Sequence, residues 1–165
     1  MRRIAASGKS IPIRRIVALV KGQLDHAVFY VRDLKASLRF WRDLLGFKEV
    51  GEAFGGRAAA LTSGRTHHEL LLIEVGDLPG PAPRRRGLYH VGVKVGNSKE
   101  ELRAAVAELK AAGVPIDGAS DHTVSWSLYV RDPDGNEVEV FCDNPDIDWR
   151  KDPKAVMAPI KALQI

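Results

Sequence analysis

Two histidines and one glutamate stand at positions from which they could bind one metal ion. His26 and His90 lie near the start of two segments that alternate like β-strands, residues 24–31 and 88–95. Glu139 lies inside a third such segment near the end of the chain. Two histidines and one carboxylate are the ligand set that holds non-haem Fe(II) and leaves positions open for substrate and oxygen. If the strands share one curved sheet, the sequence predicts an iron centre where these side chains meet.

The two histidines occupy matching positions of an internal repeat. Leu24-x-His26 matches Leu88-x-His90, 64 residues further along the chain. In each half a helix pattern follows the strand, and three more strand patterns follow the helix. Two such halves predict an α+β fold in which two βαβββ modules pair mixed sheets around a metal-binding cleft, with the helices outside.

Capping signals set the limits of the two predicted helices. Asp33 stands where an N-cap belongs, and Ser98 with Glu101 fits a capping box. Gly46 and Gly113 follow the apolar stripes as C-terminal stops. The remaining strands are predicted at residues 47–50, 58–62 and 68–75 in the first half and at residues 114–116, 124–130 and 136–142 in the second.

Composition and charge limit the classes of partner. The 165 residues, 45% of them apolar, suffice for one paired domain at residues 23–143, with modules at 23–75 and 88–143. Residues 1–22 form a basic arm with six Lys or Arg and no acid, which leaves 19 basic against 21 acidic residues elsewhere. The net charge of +4 is therefore a property of the arm, and nucleic acid is not an expected partner. Residues 144–165 form a C-terminal tail that is expected to be partly helical.

Cysteine content and hydropathy bear on the compartment. Cys142 is the single cysteine, so the chain cannot form an internal disulfide. This fits the reducing cytoplasm, where we expect the protein to reside. No apolar run approaches the length of a transmembrane helix, so a membrane is not an expected partner either.

Alternation along the last two strands predicts which side chains face the cleft. The last strand has one apolar face, formed by Val138, Val140 and Cys142. Glu139 therefore points to the opposite face. The strand before it has a polar face, formed by Ser125, Ser127 and Tyr129. Polar side chains on the face away from the helices fit a lined cleft.

These elements resemble the vicinal oxygen chelate superfamily, which is built from paired βαβββ modules. The superfamily includes glyoxalase I, methylmalonyl-CoA epimerase, fosfomycin and bleomycin resistance proteins, and type I extradiol dioxygenases. The resemblance covers residues 24–143, and the segments that carry it are Gly87-Leu88-Tyr89-His90, Asp121-His122-x-Val124-Ser125 and residues 128–136 followed by Glu139. This combination is most similar to the catechol 2,3-dioxygenase branch, in a form with one module pair.

The resemblance implies a role for each site residue. The family's Fe(II) ligands fall on His26, His90 and Glu139. A histidine pair before the fourth strand matches His67 and His68, and the second of the pair is the family's acid–base residue. The family's further histidine and its tyrosine match His122 and Tyr129. The catalytic set implied by the resemblance is therefore His68, His122 and Tyr129.

Two adjacent residues decide between two kinds of chemistry. Neighbours in a strand point to opposite faces, so only one of His68 and Glu69 can enter the cleft. With Glu69 the site would have two histidines and two glutamates, as in glyoxalase I. With His68 the metal would keep three ligands and a histidine would stand beside it. Side chains at every second position after Glu69 share its face of the strand, and they are Leu71, Ile73 and Val75. An apolar face of this kind resembles one that packs against helices. This pattern favours His68 in the cleft.

The implied function is an Fe(II)-dependent extradiol dioxygenase of aromatic catabolism that opens the ring of a catechol-type diol with O2. The expected assembly is a homo-oligomer. Mn(II), Ni(II), Co(II) and Zn(II) are the other metals that such a site accepts. Two alternatives stay open: a glyoxalase- or epimerase-like lyase or isomerase, and a metal-free protein that binds small molecules, as resistance proteins do.

Overall fold

Strand pairing divides the chain into two sheets of matching topology. The computed structural model describes residues 23–82 and 86–165, so the basic arm at residues 1–22 lies outside the described residues. The first unit contains β1 (Ala27–Val31), β2 (Lys48–Ala53), β3 (Ala58–Thr62) and β4 (Leu70–Glu74). Their order in the sheet is β1-β4-β3-β2, and β1 runs parallel to β4.

The second unit repeats this arrangement and adds one strand. It contains β5 (His90–Gly96), β6 (Ile116–Asp121), β7 (Ser125–Arg131), β8 (Glu137–Asp143) and β9 (Lys161–Ala162). Their order is β5-β8-β7-β6-β9, and β5 runs parallel to β8 as β1 does to β4. The internal repeat of the sequence is therefore a repeat of topology, and the predicted α+β fold is confirmed.

Each unit has one helix between its first two strands. α1 (Leu34–Leu38) begins at Asp33, whose side chain accepts a 2.9 Å hydrogen bond from a backbone N–H of the first turn. α2 (Lys99–Ala111) begins at Ser98, whose hydroxyl accepts a 3.2 Å hydrogen bond from the N–H of Glu101. Both predicted caps are confirmed. No helix within residues 23–82 and 86–165 is long and apolar enough to cross a membrane.

The first helix widens into a π-helical turn over Arg39–Leu44. The N–H of Leu45 donates to the carbonyl of Phe40 at 3.0 Å, a step of five residues rather than four. This turn lets two consecutive aromatic residues, Phe40 and Trp41, both lie in the core. Periodicity predicts a helix here, but it does not reveal the widened turn.

One hydrophobic core extends through both units. Its members include Val31, Trp41, Leu61 and Leu72 of the first unit and Leu102, Leu109, Val138 and Val140 of the second. A polar contact also joins the units, because Asp134 in the turn between β7 and β8 contacts the start of α1. Its carboxylate accepts hydrogen bonds from the N–H of Arg32 at 2.8 Å and from the hydroxyl of Ser37 at 3.3 Å.

The start and the buried face of β4 differ from the prediction. β4 begins at Leu70, so the alternation of its side chains does not extend back to His68 and Glu69. Leu70 and Leu72 form the buried face of this strand. The sequence predicted instead that the buried, helix-packed face would consist of Leu71, Ile73 and Val75. This prediction is wrong, because these three residues are only partly buried.

β6 is longer than predicted. It spans Ile116–Asp121, whereas apolar alternation predicts a strand only at residues 114–116. Its residues beyond Ile116 are small or acidic, types with low intrinsic strand preference. β7 pairs with this segment on one side and β9 pairs with Ser120 and Asp121 on the other. Tertiary pairing therefore makes this strand where local propensity does not.

The C-terminal tail combines a short helix and a short strand. Pro153–Met157 forms a 3-10 helix, and β9 then pairs antiparallel with the end of β6. The sequence predicts some helix in this region but not the strand. Through β9 the tail covers part of the open edge of the second sheet.

Candidate functional site

His90 and Glu139 meet on the face of the second sheet that points away from α2. β5 and β8 are parallel, and Glu139 pairs with Gly92, two residues after His90. Nε2 of His90 lies 3.3 Å from Oε2 of Glu139. The opposite face of β8 is fully buried and consists of Val138, Val140 and Cys142. The predicted orientation of Glu139 is therefore confirmed.

His122 and Tyr129 complete this group of side chains. Nε2 of His122 lies 2.7 Å from the hydroxyl of Tyr129 and 3.7 Å from Oε1 of Glu139. His122 occupies the tight connection between β6 and β7, where Thr123 has a φ of 70°. Burial, together with the charge of Glu139, raises the pKa of the Tyr129 phenol. Tyr129 is thus a neutral hydrogen-bonding group at physiological pH.

A close approach explains the glycine beneath this pair. A Cβ at position 92 would lie 3.3 Å from Cε1 of Phe141 and 3.7 Å from Oε2 of Glu139. Gly92 therefore leaves room for the Phe141 ring and the Glu139 carboxylate to lie against the strand. Gly92 was not predicted from the sequence to belong to the site, although a glycine inside a strand often marks such an approach.

His26 and His68 form a separate group in the first unit. The N–H of Ala27 donates to the carbonyl of Glu69 at 2.9 Å, which holds the start of β1 beside the residues that precede β4. The rings of His26 and His68 lie 4.5 Å apart between centroids. Nδ1 of His26 lies 3.5 Å from Oδ2 of Asp25. Asp25 also approaches His67, whose side chain is 71% exposed.

The Glu69 side chain points into the loop between β3 and β4. Its carboxylate accepts hydrogen bonds from the hydroxyl of Thr62 at 2.8 Å and from the N–H of Ser63 at 2.7 Å, and the Ser63 hydroxyl donates to the other oxygen. Although burial raises the pKa of Glu69, these hydrogen bonds and the charge of Arg65 leave it below its ordinary value. His68 therefore stands beside His26, while the oxygens of Glu69 are occupied elsewhere.

The predicted site residues thus come together in two groups. One holds His26 and His68, and the other holds His90, His122, Tyr129 and Glu139. Among residues 23–82 and 86–165, no three His, Cys, Asp or Glu side chains are arranged to hold a metal ion. A histidine nitrogen and a carboxylate oxygen 3.3 Å apart fit two ligands of a common ion. The participation of His26 as the third ligand stays a prediction.

Two carboxylates beside the predicted ligands were not found from the sequence. Asp25 lies against Nδ1 of His26, and Glu137 lies against Nδ1 of His90 at 3.3 Å. Glu137 is two residues from Glu139 and shares its face of β8, which was a usable signal. The pairing of β5 with β8 that brings Glu137 to His90 is not visible in the sequence.

Comparison with known proteins places these features in a family. Residues 23–140 match the sequence model described as Glyoxalase/Bleomycin resistance protein/Dioxygenase superfamily. The chain is 35% identical to the "Catechol-2,3-dioxygenase" of Bacillus subtilis (strain 168) over 131 residues, which cover 78% of this chain and 44% of that protein. It is 32% identical to the "Biphenyl-2,3-diol 1,2-dioxygenase 3" of Rhodococcus globerulus over 127 residues, 76% of this chain and 65% of the relative. The chain therefore spans less than two thirds of either relative.

The fold is also found among solved structures. A crystal structure of a glyoxalase/dioxygenase from Nostoc punctiforme superimposes with a TM-score of 0.61 at 21% sequence identity. The match covers 87% of this chain and 98% of that one. At this identity the likeness concerns the fold alone.

Proposed function

This chain belongs to the Glyoxalase/Bleomycin resistance protein/Dioxygenase superfamily, and we propose that it is an Fe(II)-dependent extradiol dioxygenase that opens the ring of a catechol-type aromatic diol. Two relatives that carry dioxygenase names support the reaction class. The observation that carries the proposal is the placement of Glu69, because this residue separates three-ligand from four-ligand chemistry.

The bonds that Glu69 makes support a three-ligand site. Both of its carboxylate oxygens accept hydrogen bonds from Thr62 or Ser63, so binding a metal would break the closure of the β3–β4 loop. His26, His90 and Glu139 then remain as the protein ligands. Two histidines and one carboxylate leave coordination positions for a bidentate substrate and for oxygen.

The remaining polar residues have distinct tasks in this proposal. Fe(II), when bound, would supply a Lewis acid that lowers the pKa of a diol hydroxyl. His68, beside His26, accepts the proton of that hydroxyl and later returns it, a role suited to an imidazole near neutral pH. His122 and Tyr129, joined by their 2.7 Å contact, hydrogen-bond a substrate oxygen and fix its orientation.

An apolar sheet face supports an aromatic substrate. Val28 and Tyr30 are exposed by 51% and 72%, and they share one face of β1, the strand that begins directly after His26. Their partners in β4 are Leu71 and Ile73, which share this face. Exposed apolar surface beside the predicted ligand suits the ring and the substituents of an aromatic diol.

Anaerobic purification, reconstitution with Fe(II) and assay with catechols of increasing apolar bulk test the proposal. We expect ring opening next to the two hydroxyls, which the absorbance of the semialdehyde product reports. Turnover of a hemithioacetal or an epimerisable thioester with Ni(II), Zn(II) or Co(II), without ring opening, would instead assign a lyase or isomerase. Tight binding of a small molecule without any metal would assign a binding protein.

A further inference from the structure

A buried glutamate lies directly against the predicted metal ligand His90. Glu137 is the residue of β8 that pairs in register with His90 of β5. Its Oε1 lies 3.3 Å from Nδ1 of His90, on the opposite edge of the ring from Glu139. The Glu137 side chain is only 8% exposed.

The other oxygen of Glu137 is held by an arginine. Nη2 of Arg131 donates to Oε2 of Glu137 at 2.7 Å, and Nε of the same guanidinium donates to Asp117 at 2.8 Å. A buried carboxylate needs such a partner to remain charged, and here the guanidinium also fixes its orientation.

The two nitrogens of a neutral imidazole differ, since one carries a proton and the other is a bare acceptor. A carboxylate that accepts a hydrogen bond from Nδ1 favours a proton at that nitrogen and leaves Nε2 bare. Both nitrogens of His90 have a carboxylate oxygen at 3.3 Å, but only the contact of Nδ1 with Glu137 has hydrogen-bond geometry. In His90, Nε2 is the nitrogen that faces Glu139. The bare nitrogen is therefore directed toward the predicted metal position.

We propose that Glu137 is a positioning residue that holds His90 as its Nδ1–H tautomer with Nε2 directed at the metal, and that Arg131 keeps Glu137 in place for this purpose. The inference rests on the proposed role of His90 as a metal ligand, and it does not depend on which reaction follows. Removal of a carboxylate that orients a ligating histidine in this way typically lowers metal affinity about 10–100-fold.

Asp25 provides a matched control on the other predicted histidine ligand. Its Oδ2 lies 3.5 Å from Nδ1 of His26, a contact of the same kind. The two side chains are 42% and 43% exposed, so water competes for both groups. Asp25 should therefore direct His26 much less firmly than Glu137 directs His90.

Long-range ¹H–¹⁵N NMR of the metal-free protein, labelled on histidine, reads each tautomer directly. The spectra are recorded at a pH above which the histidine signals no longer change, so that the rings are neutral. The chain has five histidines, and His90 is assigned by its loss in His90→Gln. We expect the wild-type His90 signal to be that of the Nδ1–H form.

Glu137→Gln keeps the volume of the side chain but offers only one acceptor. Arg131, which is always charged, takes that oxygen and turns the amide NH2 toward His90. We expect His90 to change to the Nε2–H form and the affinity for Mn(II), measured by EPR, to fall about 10–100-fold. A residue needed only for packing would leave both readouts unchanged in this isosteric variant. Asp25→Asn should change Mn(II) affinity by no more than about fivefold, as expected of an exposed pair.

Either of two results would overturn the inference. One is a wild-type His90 in the Nε2–H form, which is measurable even if no Glu137 variant folds. The other is a folded Glu137→Gln protein whose His90 tautomer and Mn(II) affinity match the wild type. Neither measurement uses O2 or a catechol. If both give the expected result and the protein still opens no ring, the proposed reaction is refuted and the role of Glu137 stands.

Discussion

The backbone N–H of Arg32 donates a 2.8 Å hydrogen bond to Oδ1 of Asp134, across 102 residues of chain. Arg32 follows β1, the strand that begins beside His26, and Asp134 precedes β8, the strand that carries Glu139. The second oxygen of Asp134 binds the fully buried hydroxyl of Ser37. One carboxylate thus couples the two units that hold the predicted metal ligands.

Asp134→Ala should lower the free energy of unfolding by about 1–3 kcal/mol, because it leaves the buried Ser37 hydroxyl without its acceptor. Urea denaturation followed by circular dichroism measures this. Asp77→Ala is the matched control, since Asp77 also pairs with Arg32, at 3.8 Å, but is 93% exposed. The control should lie within about 0.5 kcal/mol of the wild type. Equal effects of the two variants would contradict a coupling role for Asp134.

The choice between dioxygenase and four-ligand chemistry depends on His68 and Glu69. His68→Ala should retain Fe(II) and lose about 10²–10⁴-fold in turnover, the usual contribution of a general acid–base group. Glu69→Gln should retain the metal and most of the turnover. Metal analysis and steady-state kinetics on both variants check this. Metal loss from Glu69→Gln together with an active His68→Ala would point to a lyase or isomerase.

Three single substitutions test whether the two groups of side chains share one ion. His26→Ala, His90→Ala and Glu139→Ala should each abolish stoichiometric Fe(II) binding, because a site with three protein ligands cannot hold the ion with only two. Metal content after anaerobic desalting is the measurement. His67→Ala, at a 71% exposed neighbour of His68, should bind Fe(II) like the wild type. Retention of Fe(II) by His26→Ala would remove that histidine from the ligand set.

Gly92→Ala should disturb the centre without touching a ligand. The new methyl group would crowd the Phe141 ring at 3.3 Å, and it would touch the Glu139 carboxylate at an ordinary contact distance of 3.7 Å. We expect kcat to fall by up to about 10²-fold, as small misplacements of reacting groups do, with the fold retained. Gly118→Ala in β6 meets nothing closer than 3.9 Å and serves as the control. Equal kinetics in both variants would refute a role for the close packing at position 92.

The stability contributed by Glu69 should depend on pH. Its pKa lies below the ordinary value of 4.5 in the folded protein, despite the opposing effect of burial. The folded state therefore prefers the ionised form, and the contribution is fully present above pH 4.5. It is lost as the pH falls through the lower folded pKa. The difference in unfolding free energy between wild type and Glu69→Gln should be largest near neutral pH and shrink below pH 4.5. A difference that does not vary with pH would contradict this assignment.

Much of the fold could be predicted because the repeat and the caps are local signals. Asp33 and Ser98 cap their helices as expected, and the apolar face of β8 fixed the orientation of Glu139. The extension of β6 beyond Ile116 and the strand β9 could not be predicted, since these residues become strands only through their neighbours.

The site was harder to predict for the same reason. The orientation of Glu69 depends on bonds to Thr62 and Ser63, and the alternation argument fails there because β4 begins only at Leu70. The contact of Glu137 with His90 depends on the register between strands 47 residues apart. Neither relationship is encoded in a local pattern.

The confinement of strand pairing within each unit has a consequence for the order of folding. Every paired strand in the two sheets finds its partner in its own unit, whereas the shared hydrophobic core and contacts such as Arg32 with Asp134 form only when the units meet. Short loops close at a smaller entropic cost than long ones, so each unit should acquire its sheet first and docking should follow. Refolding should then show a late step that Asp134→Ala slows. The predicted ligands His26 and Glu139 would be brought together only in that step, so metal capture would report the end of folding.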